Sequence, residues 1–264
     1  MNIKINIFLL FILILLSIFS FGEDSEQISV PLSSSHKPGL VSVNHYKGSI
    51  NVTGYNGKTI VITASYRKPV NDNGMKLISG SSLKLSATEK DNVVFVSVNS
   101  YRKTIDLDIR VPRNFSLKLS TDDNGEILVR DINGVFELNN NNGDVKLINV
   151  SGSSVVSTID GNIYADYVKV DTDMPMVFST IEGNIDLHFP ADADICLKMR
   201  TEYGEIYSDF IIDVDKRKTN IRKHKNSGST KISLDQWTYG KINKGGPEYL
   251  IKSLNGSIYI KKKK

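Results

Sequence analysis

LSTDDNGEILV (119–129), LNNNNGDVKLI (138–148), VSTIDGNIYAD (156–166) and FSTIEGNIDLH (178–188) are four copies of one phrase. Each has a small polar cluster, a glycine, one polar residue and then Ile or Val. The glycines, Gly125, Gly143, Gly161 and Gly183, lie 18, 18 and 22 residues apart, a period at which a repeat is one coil of a solenoid rather than a domain. The phrase recurs at Gly48, Gly204 and Gly256, which makes seven copies. Two residues after the glycine stand Ile50, Ile127, Val145, Ile163, Ile185, Ile206 and Ile258, without exception. The fourth residue is apolar in all but one copy, the exception being Ser208. Glycine permits a tight corner, and strand side chains two and four residues beyond it share a face. Coils stacked at ~4.8 Å would turn these positions into one aliphatic column, each buried Ile worth ~1.5–3 kcal/mol.

The rest of the chain has the same character. Segments 40–44, 58–66, 83–87 and 93–98 are β-branched or alternating runs, and in 104–111 Ile105, Leu107, Ile109 and Val111 alternate with polar residues before Pro112 stops the run. Residues 71–82, rich in Gly, Asn and Ser, read as a loop. No stretch after Gly22 keeps a helical period, so the mature chain is expected to be all-β. Between Gly204 and Gly256 lies a gap of 52 residues with a cationic segment, expected to be a solvated basic loop insertion near 213–228.

Residues 1–22 carry Lys4, an apolar run over 7–21 and small residues at Ser20 and Gly22, followed by acidic residues from Glu23. This is the layout of a cleaved signal peptide. The competing reading is an uncleaved anchor, although the run of 15 residues is short of the ~20 that span a bilayer. Residues 23–39, rich in Ser and Pro, are expected to be a linker, and 40–264 the solenoid domain. A hydrophobic share of 40% and a charged share of 23% are those of a globular chain, and the net charge of +4 is too mild to imply nucleic acid. The single cysteine, Cys196, cannot form an internal disulfide; its strand context suggests a buried, inert thiol.

Three sets of residues are candidates for function. Glu126, Asp144, Asn162, Asn184 and Glu205 follow their glycines and would form an acid and amide column, either a cation or proton-transfer site or merely a polar turn face. Tyr164, Tyr207 and Tyr259 stand three residues after their glycines, opposite in parity to the core, and would point outward as an aromatic stripe suited to sugars or proteins. Lys216, Arg217, Lys218, Arg222 and Lys223 belong to the basic loop, which with the lysine tail 261–264 could touch anionic lipid or polysaccharide. No aromatic residues interleave the loop's cations, which disfavours single-stranded nucleic acid. His36, His45, His188 and His224 show no metal-ligand spacing, and no nucleophile elbow or phosphate-binding loop occurs. No catalytic residue, metal or cofactor is expected.

Further short motifs, taken in order, carry a resemblance. The Gly-x-Ile turns, Ile109-Arg-Val-Pro112 before Ser116-Leu-Lys-Leu119, Leu187-His-Phe-Pro-Ala191, Thr201-Glu-Tyr-Gly-Glu-Ile-Tyr-Ser-Asp209 and Asn255-Gly-Ser-Ile-Tyr-Ile260 follow one another over Val43 to Ile260. This order resembles the bacterial putative-adhesin β-solenoid family, an exported domain of unknown function. The resemblance implies a single-stranded right-handed β-solenoid of short 18–22-residue coils, exported to the envelope or surface, with no catalytic residues to carry over. The expected role is that of a non-enzymatic adhesin or envelope-binding protein whose partner is an envelope or host-surface protein or glycan. The alternatives are a carbohydrate-active enzyme on the same scaffold, which needs convergent acids in a groove, and a membrane-anchored envelope-stress or assembly component.

Overall fold

A computed structural model describes residues 25–67, 83–98, 102–215, 220–226, 229–235 and 237–264. The described chain is all-β. It opens with β1 (Ser25–Pro31), then a first coil of β2 (Gly39–Lys47) and β3 (Ile50–Tyr55) around Gly48, then β4 (Thr59–Tyr66). Next come the hairpin of β5 (Leu85–Lys90) and β6 (Val93–Val98), and β7 (Ile105–Pro112). Two coils follow: β8 (Phe115–Asp123) with β9 (Ile127–Arg130) around Gly125, and β10 (Asn133–Asn142) with the first part of β11 (Val145–Asp160) around Gly143. The remainder of β11 forms a coil with β12 (Ile163–Val170) around Gly161, and β13 (Met176–Glu182) with β14 (Ile185–Phe189) around Gly183. Then come β15 (Ile195–Arg200) and β16 (Ile206–Ser208) around Gly204, β17 (Asp213–Val214), β18 (Asn220–Asn226), β19 (Ser229–Asp235), β20 (Thr238–Ile242), and a last coil of β21 (Glu248–Asn255) and β22 (Ile258–Lys262) around Gly256.

Each coil gives one strand to each of two faces, and like residues stack in register. Down one face Ile50 pairs with Ile127, then Val145, Ile163, Ile185, Ile258 and Ile206 follow, all parallel. All of these are fully buried except the terminal Ile206, which is half-buried. The sequence reading of an aliphatic column holds, but the stack does not follow chain order. The first coil lies between β6/β7 and β8/β9, and the last coil, 248–262, lies between the coils of Gly183 and Gly204. The first and last glycine coils are thus each tucked one layer inward from an end of the stack.

The sheet is also mixed rather than purely parallel. At one end β4 pairs antiparallel with β7 and β1 antiparallel with β4, while β5 pairs antiparallel with β6; at the other end β20 pairs antiparallel with β15 and β17 antiparallel with β20. Antiparallel caps cover β6, β7 and β15, whose unpaired backbone groups could otherwise template pairing with another chain. Two boundaries differ from those expected. Within the segment read as a linker, Ser25–Pro31 is a strand, because Ile28 and Val30 alternate with polar residues and find β4 as partner. The basic segment is not a loop over 220–226 but one strand of a hairpin with Ser229–Asp235, in keeping with the β-branched residues at 221, 230 and 232. The loop expected over 71–82 and the leader 1–22 lie outside the described residues.

A second column, absent from the sequence reading, lines the glycine corner. Thr121 Oγ1 donates to the carbonyl of Gly48 at 2.9 Å, Asn140 Nδ2 to Gly125 at 3.0 Å, Thr158 Oγ1 to Gly143 at 3.1 Å and Thr180 Oγ1 to Gly161 at 3.0 Å. Ser253 Oγ continues to Gly183 at 3.0 Å and Thr201 Oγ1 to Gly256 at 2.7 Å, while His45 Nε2 reaches the Ile105 carbonyl at 2.7 Å. A side chain placed three or four residues before each glycine therefore satisfies a carbonyl of the coil beneath it. The glycine itself is demanded by the same closeness. Gly183 has φ of +141°, and a Cβ there would overlap the carbonyl oxygen of Gly161.

Candidate binding surface

The residues that follow the glycines do stack, in the order Ser49, Glu126, Asp144, Asn162, Asn184, Ser257 and Glu205, and their oxygens are largely engaged. Asp144 Oδ1 accepts from the backbone N–H of Asn162 at 2.8 Å, Asn162 Oδ1 from that of Asn184 at 2.9 Å, and Asn184 Oδ1 from that of Ser257 at 2.7 Å. Ser257 Oγ in turn accepts from the N–H of Glu205 at 3.2 Å. Lys146 bridges Glu126 at 2.9 Å and Asp144 at 3.3 Å. Burial opposes ionisation of Asp144, but the hydrogen bonds from Asn162 and the Lys146 ammonium outweigh it and hold its carboxyl below the usual range. This column is an inter-coil ladder. Among the described residues, no three His, Cys, Asp or Glu are grouped as metal ligands.

The tyrosines are brought together. On the outer side of the face that carries the isoleucine column the register places Tyr164, Asp186, Tyr259 and Tyr207 on four successive coils, with Asp166, His188 and Lys261 in the neighbouring column. Tyr207 and Tyr259 stack with ring centroids 5.2 Å apart and planes 10° from parallel. Tyr164 lies two coils away and packs its ring on His188 at 5.2 Å. Lys261 Nζ is 2.7 Å from Asp186 Oδ2 and 5.1 Å from the Tyr259 ring centre, and Lys263 Nζ is 2.7 Å from both oxygens of Asp166. His188 Nε2 stands 3.1 Å from Asp186 Oδ1, an ion-pair distance without hydrogen-bond alignment. Tyr164, Asp166, His188, Tyr207, Tyr259 and the lysines at 261–264 line an open groove of about 610 Å³.

The groove offers flat rings beside alternating donors and acceptors. The Tyr207 hydroxyl donates to the Glu205 carboxylate, which pushes its pKa up, and burial with the nearby Asp166 and Asp186 does the same for Tyr164. Both are therefore neutral phenols at physiological pH. Sequence reasoning missed Asp166, Asp186 and His188, although each occupies the outward parity of its strand and could have been placed by aligning the copies. Of the basic candidates, Lys216, Arg217 and Lys218 lie outside the described residues; Arg222 and Lys223 are on β18, remote in sequence from the groove strands. Cys196 corrects the expectation of a buried thiol: it takes the outward parity of β15 and is half-buried.

Residues 133–243 match the family model described as Toastrack DUF4097. The matched segment contains Tyr164 and Tyr207, while Tyr259 and the lysine tail lie beyond it, in the inserted last coil. Solved structures to which the chain is similar include a putative cell adhesion protein of Clostridium sporogenes, 16% identical over 91% of this chain and 99% of that one, with a TM-score of 0.42. A putative adhesin of Bacteroides fragilis is 14% identical over 92% and 98%, with a TM-score of 0.41. A putative adhesin of Parabacteroides merdae is 11% identical over 91% and 97%, with a TM-score of 0.21. No curated protein matches the chain.

Proposed function

We propose that this protein is an exported, non-catalytic β-solenoid, wound right-handed, that binds a cell-envelope or host-surface component through the tyrosine groove. The observation that carries this reading is the stacked pair Tyr207 and Tyr259, held on rigid strands with Tyr207 48% exposed. Aromatic rings give large contact area at low entropy cost, and each carries a polar tip. The resemblance of the motif order to the putative-adhesin β-solenoid family supports it, and so does the leader-like composition of residues 1–22. The acid column argues against the carbohydrate-active alternative, because its stacked oxygens are spent on backbone N–H groups of the next coil.

The test uses the chain from Glu23 to Lys264, labelled and incubated with intact bacterial envelopes and with host-cell surfaces. Saturable binding that drops in Tyr207→Ala and Tyr259→Ala, with an unchanged melting temperature, is the expected result. Equal binding by the parent and both variants would end the assignment of the groove. Mass spectrometry of the N-terminus recovered from the culture medium or periplasm checks export: a start near Glu23 is expected, and an intact Met1 in the membrane fraction would favour the anchored alternative.

A further inference from the structure

We propose that the groove takes an acidic saccharide, with a sugar ring on the outer face of Tyr207 and its acid group on Lys262 or Lys264. The assignment rests on the groove being the binding site. Its first basis is where the aromatic column ends. Tyr259 is sandwiched within the stack, but Tyr207 belongs to β16, and among the described residues no strand pairs beyond β16 on this face. One face of the Tyr207 ring is packed on Tyr259, and the residue is 48% exposed and lines the groove. A flat, partly apolar ring of sugar size can continue the stack one step further.

The second basis is the charge pattern. Lys261 and Lys263 are neutralised by Asp186 and Asp166. Lys262 and Lys264 also line the groove, both are exposed, and among the described residues neither ammonium is paired with a carboxylate. Lys262 Nζ stands 5.4 Å from the centre of the Phe210 ring, which holds it near the rim, and its backbone N–H is fixed to Asp209 Oδ1 at 2.8 Å. The paired inner lysines and aspartates present donors and acceptors to hydroxyl groups, while the two unpaired cations select an anion. A neutral sugar would use only the first set.

The experiment is calorimetric titration of the chain 23–264 with tetragalacturonate, with the neutral galactose tetrasaccharide, and with a hexose 6-phosphate, at low and at physiological salt. Tetragalacturonate is expected to bind at least about tenfold more tightly than the neutral tetrasaccharide, and the preference should shrink as salt rises. The hexose phosphate arm tells whether the cations accept a phosphate as well as a carboxylate. Tyr207→Ala should weaken both tetrasaccharides about tenfold, whereas the double variant Lys262→Ala, Lys264→Ala should abolish the preference and spare the neutral ligand. Equal affinity for acidic and neutral sugars, or a preference that survives the double lysine variant, would overturn the proposal. If Tyr207→Ala lowers envelope binding and yet no acidic saccharide binds, this ligand is wrong and the groove reading stands. If acidic saccharide binds but Tyr207→Ala changes neither that nor envelope binding, both fall.

Discussion

Replacing Thr180 by Val removes one hydroxyl from the middle of the corner ladder and leaves the side-chain shape almost unchanged. Thr180 is 2% exposed, and its Oγ1 donates to the Gly161 carbonyl at 3.0 Å, with the Glu182 carbonyl at 3.2 Å. The rungs on either side come from Thr158 and Ser253, so neither coil has slack to bring another donor to Gly161. A buried carbonyl stripped of its donor costs about 1–3 kcal/mol. For a chain of this size each kcal/mol lowers the melting temperature by roughly 2–4 °C, so Thr180→Val should melt about 2–12 °C below the parent. The control is Thr180→Ser, which keeps the hydroxyl and loses a methyl group. Thermal unfolding followed by circular dichroism of the β signal, repeated by guanidinium titration, measures both. If Thr180→Val melts with the parent, or if Thr180→Ser falls as far as Thr180→Val, the ladder does not contribute as argued.

Gly183→Ala should fail to fold or melt far below the parent, since the substitution meets both a positive φ of +141° and the Gly161 carbonyl; soluble yield and circular dichroism decide this. Burial lowers the pKa of His45, outweighing the hydrogen bonds to Ile105 and Lys47 and the nearby charges of Asp106 and Asp122. As pH falls through about 6.5, the unfolded chain takes up a proton that the folded chain resists, so stability should decline below that pH and down to the folded pKa. His45→Gln should show a flatter melting temperature between pH 7 and 5, and an identical slope would refute the assignment. Among the described residues the buried Tyr249 hydroxyl has no hydrogen-bond partner, so Tyr249→Phe should leave stability unchanged or raise it by about 1 kcal/mol; a loss in denaturant titration would reveal a partner for that hydroxyl.

The parts of the fold that follow from period alone were legible. Isoleucine two residues after each glycine is a local pattern, and its meaning does not depend on which coil stacks on which. The hydrogen-bonding ladder was legible in principle, since Thr158, Thr180, Thr201 and Ser253 all stand three residues before their glycines. It was obscured because Thr121 stands four before, with Asn124 at φ of +56° taking up the extra residue, and because His45 and Asn140 fill the same role with different chemistry. Polar residues beside a glycine read as an exposed turn, and only the stacked carbonyls reveal that they are buried.

The groove could be read only in pieces, because its rows belong to distant parts of the chain. By sequence, Tyr207 and Tyr259 are separated by 52 residues and the whole excursion through β17 to β20. Parallel pairing of β22 with both β14 and β16 closes that distance, setting Tyr259 between Asp186 and Tyr207. Had the coils stacked in chain order, the coil of Gly204 would lie directly on that of Gly183, and Tyr207 would face Asp186 with no ring beneath it. The stacked pair, the ion pair of Lys261 with Asp186, and the reach of Lys263 to Asp166 all depend on the inserted last coil. That coil also fills the core with Tyr249, Ile251, Ile258 and Ile260, all fully buried, so the segment that completes the binding surface is one the fold cannot shed. Outward residues such as those at 259 and 261 can then be exchanged while the inward residues of the same strand, at 258 and 260, keep the coil in place.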